Sequence, residues 1–143
     1  MRLKALWIVA AIVSVCGAGC ATFGQLEDGL SALMGRNESV AFDVLGYPSG
    51  KQEFGDQTVY YWSRSASGTM LIPQTSTTYG SVGTTPVYGT TTYNQAVPYN
   101  YSCLIKLAAN KSGTLVHWEY DGNLGGCGAY IRRLNDFGKS TGR

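Results

Sequence analysis

Leu26, Leu30, Leu33 and Met34 recur at i, i+4, i+7 and i+8, which is one stripe of a helical surface. The stripe predicts a first helix ended by Gly35. Asn37 then stands at a capping position, and Glu38 sits where the helix dipole favours negative charge. Val40, Val44 and Leu45 give this second, shorter helix its apolar face, and Gly46 and Pro48 stop it. Neither helix is long enough to persist alone, so both must pack on something.

Period two takes over beyond them. Residues 57–64 (QTVYYWSR) are rich in β-branched and aromatic side chains. Residues 102–108 alternate, with Cys103, Ile105 and Leu107 on one side and Lys106 on the other. Residues 114–120 place Val116, Trp118 and Tyr120 on one side, with His117 and Glu119 opposite. Residues 110–113 (NKSG) read as the hairpin turn between the last two strands, and residues 51–54 are a candidate short edge strand. The expected fold is α+β, with two short N-terminal helices packed on a three-stranded antiparallel sheet in one domain over residues 26–129.

Between the first two strands, residues 66–100 form a Thr/Tyr/Gly-rich insertion, and no charged residue occurs from Ser65 to Ile105. The tyrosine spacing is irregular, so this is biased composition and not a solenoid repeat. Thr and Tyr favour strands while Gly and Pro interrupt them, which leaves two readings. One is a mobile loop. The other is a long hairpin arm that extends the flanking strands and offers Tyr79, Tyr88 and Tyr93 as contacts to a partner.

The N-terminus carries an address. Arg2 and Lys4 precede an apolar run over residues 5–16 that would span about 18 Å as a helix, well short of a ~30 Å hydrocarbon core. This is the pattern of a signal peptide over residues 1–19. The small residues Gly17, Ala18 and Gly19 before Cys20 resemble a bacterial lipobox, with Gly17 where that class usually carries Leu or Val. The resemblance implies diacylglycerol on the Cys20 thiol, cleavage on its amino side and a short lipidated linker over residues 20–25. Cys16 is the competing position, but bulky Val15 in front of it fits a cleavage pocket poorly. An ordinary secretory signal cut at the same place is the other reading. Two or three acyl chains hold a protein at a bilayer essentially permanently. Ala21 stands where an aspartate would signal inner-membrane retention, so the expected location is the outer membrane, facing the periplasm.

Composition narrows the chemistry. The chain has 143 residues, 44% apolar and 14% charged, with a formal net charge of +2. That is room for one domain. Loss of Arg2 and Lys4 with the leader brings basic and acidic side chains into balance, which argues against a nucleic-acid partner. With Cys20 acylated, Cys103 and Cys127 remain as a pair, and in an oxidising compartment a structural disulfide is expected between them. Closing that loop stabilises by roughly 3–4 kcal/mol in the chain-entropy treatment.

His117 is the sole histidine, and any Ser-His-Asp or Cys-His device would have to use it. Alternating with Trp118 on a strand, it reads as a solvent-facing residue. Glu27 and Asp28 are adjacent on a helix, while Glu53, Asp56, Glu119 and Asp121 fall near strand ends, all as expected for solvated surface. Residues 125–128 (GGCG) fit neither nucleotide-binding glycine pattern and read as a flexible turn around the disulfide. The basic tail, residues 130–143, reads as a solvated end, or else as a contact for anionic lipid or cell-wall carboxylates. No metal, cofactor or catalytic residue is expected.

One resemblance joins these features. A helix, a short helix ending in Leu45-Gly46-Tyr47-Pro48 and an antiparallel meander opening on aromatic residues 59–62, all behind a lipobox, resemble the small outer-membrane lipoproteins of the BamE/SmpA type. The likeness covers residues 24–64 and 102–121. It implies two helices on one face of an antiparallel sheet and a non-catalytic role beside an envelope protein partner, in outer-membrane protein assembly or envelope maintenance. The uncharged insertion and the Cys103/Cys127 pair lie outside that family's usual pattern. The alternative role is structural, binding lipid or peptidoglycan with a passive insertion. Metabolic labelling with palmitate is expected to mark the wild-type protein and to leave the Cys20→Ser variant unlabelled. Unlabelled wild type would refute the anchor.

Overall fold

Thr22 opens the first helix through a reciprocal capping box. Its hydroxyl accepts from the Gln25 amide at 3.3 Å, and the Gln25 side chain accepts from the Thr22 amide at 3.1 Å. The computed structural model describes residues 20–142, so the signal peptide over residues 1–19 lies outside the described residues, as does Arg143. In chain order the elements are α1 (Phe23–Leu33), α2 (Glu38–Leu45), β1 (Gly50–Phe54), β2 (Gln57–Val82), β3 (Thr85–Asn110), β4 (Leu115–Gly122) and α3 (Leu124–Ser140). The strands form one antiparallel sheet in the order β1-β2-β3-β4.

The expected architecture of two N-terminal helices on three strands is therefore corrected. The sheet has four strands, because residues 50–54 pair with β2 from Gly50↔Tyr61 to Phe54↔Gln57. A third helix, α3, follows the sheet, so the helices flank the strands in sequence. The insertion over residues 66–100 is not a loop between strands. It belongs to β2 and β3 themselves, which pair without a break from Gln57↔Asn110 to Val82↔Thr85.

The third helix replaces both the flexible turn at residues 125–128 and the solvated tail at 130–143. Cys127, Tyr130, Ile131 and Leu134 recur at i, i+3, i+4 and i+7, and all four are buried. The glycines ahead of them, which suggested a turn, serve close packing. A Cβ on Gly126 would come within 2.2 Å of the Ser102 carbonyl oxygen. Any larger residue there would push the helix off β3. The Cys103–Cys127 disulfide fixes the same approach, with Cα atoms 4.9 Å apart.

The core lies between the helices and one face of the sheet. Leu26, Leu30 and Leu33 of α1 meet Trp62, Ile105, Leu107 and Leu115 from the strands and Ile131 and Leu134 from α3. The inner face of β4 departs from the simple alternation. Ala108 pairs with His117 but Ala109 with Leu115, so Val116 is left over in a bulge. Leu115 takes the core position at 1% exposure, and Val116, expected inside beside Trp118 and Tyr120, is 47% exposed.

The Leu45-Gly46-Tyr47-Pro48 element is tied from two sides. Trp62 Nε1 donates to the Gly46 carbonyl at 2.8 Å, and Arg133 Nη1 donates to the Leu45 carbonyl. A cation from α3 thus satisfies the C-terminal carbonyl of α2, where the helix dipole favours it. Tyr47 itself is exposed.

No side chain of residues 65–102 is buried, so the core is built without them. Replacing both Cys103 and Cys127 by alanine is expected to lower the unfolding free energy by roughly 3 kcal/mol. Excising residues 69–98 and joining Gly68 to its partner Tyr99 through an Asn-Gly turn should move it by less than about 1 kcal/mol, both read by urea denaturation. The reverse order would show that the arm, and not the staple, holds the body.

Candidate partner-binding arm

Past Arg64 and Cys103 the ladder leaves the body and continues as a two-stranded ribbon. At ~3.3 Å per residue, residues 65–82 carry it about 60 Å. Gly83 (φ 64°) and Thr84 turn the chain, with glycine at the first central position of a two-residue hairpin loop. Such a loop closes on a hydrogen-bonded pair, here Val82↔Thr85, and this sets the phase for the whole arm. Every second pair, counted from Ser81↔Pro86, directs its N–H and C=O groups away from the partner strand.

Three contacts at the root report the same phase. The outward Ser63 amide donates to Ser49 Oγ at 3.0 Å. The outward carbonyls of Asn100 and Ser102 accept from Asn123, one from its side chain and one from its backbone, each at 2.9 Å. Asn123 also caps α3 by accepting from the Gly126 amide at 3.0 Å. One residue thereby stops the sheet edge and starts the helix that is stapled to it.

Residues opposite one another across the ladder share a face, so the three tyrosines expected as contacts are not one cluster. Tyr79 and Tyr88 are directly opposed near the tip, with ring centroids 6.5 Å apart, and are 80% and 78% exposed. Tyr93 pairs with Gln74 and lies on the other face, the one continuous with the core. That face also carries Met70 opposite Val97, and Tyr99 beside Tyr101 with centroids 5.0 Å apart. Tyr99 lies over Gly68 and Tyr101 over Gly125 of α3, positions where a Cβ would collide with each ring. Tyr99 and Tyr101 thus brace the root, a role the irregular tyrosine spacing did not reveal.

Two open clefts flank the body. One of about 490 Å³ at the arm root brings Arg64 and Arg133 together with Tyr47, Trp62 and Tyr130. The other, about 300 Å³ at the opposite end of the sheet, is lined by Glu38, Glu53, Asp56, Tyr60 and Lys111. Burial raises the Tyr60 phenol above its usual range, and Glu38 and then Glu53 add to this. The Tyr120 phenol donates to Glu27 at 2.7 Å, and that hydrogen bond chiefly raises its pKa.

Of the acidic residues named from the sequence, Glu53 and Asp56 share the second cleft, and Glu27, Asp28, Glu119 and Asp121 lie outside it. Glu119 pairs with Lys106 across β3 and β4 at 3.2 Å, and Asp56 pairs with Lys111 at 2.6 Å, both exposed. His117 is exposed on β4. Among the described residues, no three His, Cys, Asp or Glu side chains lie close enough to hold a metal ion.

Cys20 is exposed, and only Ala21 and Thr22 separate it from α1, so the helix begins inside the stretch read as a linker. Phe23 stacks on Tyr120 with centroids 5.5 Å apart, and Tyr120 pairs with Ile105 near the arm root. The other end of α1 meets β4 through the Gly35 amide, which donates to the Leu115 carbonyl at 2.8 Å. The chain therefore enters the body at the end of the sheet from which the arm leaves.

No protein-family model, curated protein or solved structure matches the chain. The likeness to small outer-membrane lipoproteins rests on the residues quoted for it.

Proposed function

We propose that this chain is a lipid-anchored bacterial envelope protein of the outer membrane, facing the periplasm, that acts without catalysis as an interaction module. Its arm is the element a partner binds. One observation carries this reading: about 60 Å of uncharged, two-stranded ribbon contributes nothing buried to the body and displays Tyr79 and Tyr88 at its far end. Tyrosine gives a large contact area at low entropic cost. The anchor would sit at the arm's end of the body, so the arm works within reach of the bilayer. The resemblance to BamE/SmpA-type proteins supports a role in outer-membrane protein assembly or envelope maintenance.

A second reading draws on the root cleft, where Arg64 and Arg133 flank the aromatic side chains of Tyr47 and Trp62. In it the body binds an anionic lipid or peptidoglycan group and the arm is passive. Excising residues 69–98 separates the two, since partner capture is lost under the first reading and unchanged under the second. Photo-crosslinking side chains placed at Tyr79, Tyr88 and Tyr93 in cells are expected to capture a discrete protein partner. Tyr79 and Tyr88 should give the same adduct because they share a face. Absence of any adduct at all three positions would refute the arm as the contact.

A further inference from the structure

A ribbon of two strands has two free edges and is marginal alone in water; three or more strands are needed for independent stability. The free edges of this arm carry no charge to repel an added strand, the commonest guard on such edges. What guards them is proline. Pro73, Pro86 and Pro98 all fall at the outward phase, in the pairs Pro73↔Asn94, Ser81↔Pro86 and Thr69↔Pro98. There a missing N–H costs the arm's own ladder nothing and removes a donor from the free edge. Pro73 divides the outer edge of β2 into short runs. On β3 the longest open run lies between Pro86 and Pro98, with the outward groups of Tyr88, Thr90, Thr92, Asn94 and Ala96 available.

We infer that this open edge of β3 is a self-association surface, on which a second copy of the chain adds its own β3 antiparallel about a two-fold axis at Thr92. The inference rests on the arm being the contact element and names its partner. Three features favour a second copy. First, the register is self-complementary: it sets Thr92 against Thr92 and Thr91 against Tyr93, a Thr–Thr and an aromatic–β-branched pair of the kind that stabilise antiparallel sheets, brings Tyr88 against Ala96 and Val87 against Val97, and opposes no like charges. Second, the length fits. Gly83 and Thr84 of one arm come level with Tyr101 and Asn100 of the other, where Asn123 ends the open edge of β3. Third, two-fold pairing of one edge with itself is isologous and uses that edge up, and the outer β2 edges of the four-stranded product are interrupted by Pro73. Lipid is the poorer occupant. Gln74, Ser76, Thr91 and Gln95 interrupt the more apolar face along its middle, where a membrane strand needs an unbroken apolar band of about 25 Å.

The phase supplies a selective test. In the arm Thr92 pairs with Thr75 at the same outward phase as the native prolines, so Thr92→Pro leaves the hairpin intact and blocks the edge. Thr77→Pro places the same change on the outer edge of β2. Sedimentation of the full lipidated chain in detergent should show a dimer for wild type and for Thr77→Pro. For Thr92→Pro the dissociation constant should rise about tenfold or more. In intact cells, mild oxidation should convert Thr92→Cys to a homodimer identified by mass spectrometry, with no such product from Thr77→Cys. A wild-type chain that stays monomeric, or a Thr92→Cys variant that crosslinks only to a different polypeptide, overturns the inference. Adducts at Tyr79 or Tyr88 to another protein from a monomeric chain would overturn it while leaving the proposed function standing.

Discussion

The register of β2 on β3 is the constraint everything else follows. It is set twice, by Trp62 opposite Ile105 in the core and by the two-residue turn at Gly83 and Thr84 at the tip, and both settings agree along the whole ladder. A slip of one residue would turn either Trp62 of β2 or Ile105 and Leu107 of β3 to solvent. It would also put the prolines of that strand, Pro73 or else Pro86 and Pro98, where the arm's own hydrogen bonds belong. The same phase decides that Tyr79 and Tyr88 share a face, that Tyr93 does not, and which backbone groups remain open to another chain.

The body holds that register at one end only, and it does so at the arm root. Gly126 lets α3 lie against the Ser102 backbone, the Cys103–Cys127 bond fastens it there, and Asn123 joins helix cap to sheet edge. Tyr101 over Gly125 extends the contact outward by one more pair. Stability is thus concentrated where the arm departs, while the ribbon beyond it contributes exposed surface. This division suits a rigid base that presents a long element to something else.

Much of the body was legible in the sequence. The leucine stripe, the Asn37 cap and the alternation around Ile105 reported α1, α2 and the inner strand faces directly, because each is a local pattern. The third helix was not read although Cys127, Tyr130, Ile131 and Leu134 have helical spacing. Gly125 and Gly126 just ahead of that stripe, with Gly128 inside it, carry the ordinary signature of a turn, and only the neighbouring Tyr101 ring and Ser102 backbone show why the first two are there. Val116 was misplaced because a bulge opposite Ala108 and Ala109 shifts the alternation by one, which no local pattern announces. In the arm, composition left loop and hairpin open. The deciding signal was the parity of the three prolines relative to the turn, which acquires meaning only once the strands are paired.

Amide hydrogen exchange along β2 in the arm tests the central claim most directly, since that strand's outer edge stays free whether or not β3 gains a partner. An ordered ribbon in this register gives alternation: the inward amides of Ser76, Thr78 and Gly80 exchange slowly, and the outward amides of Thr75, Thr77 and Tyr79 exchange fast. Uniformly fast exchange at all six, with the body still protected, would contradict the account.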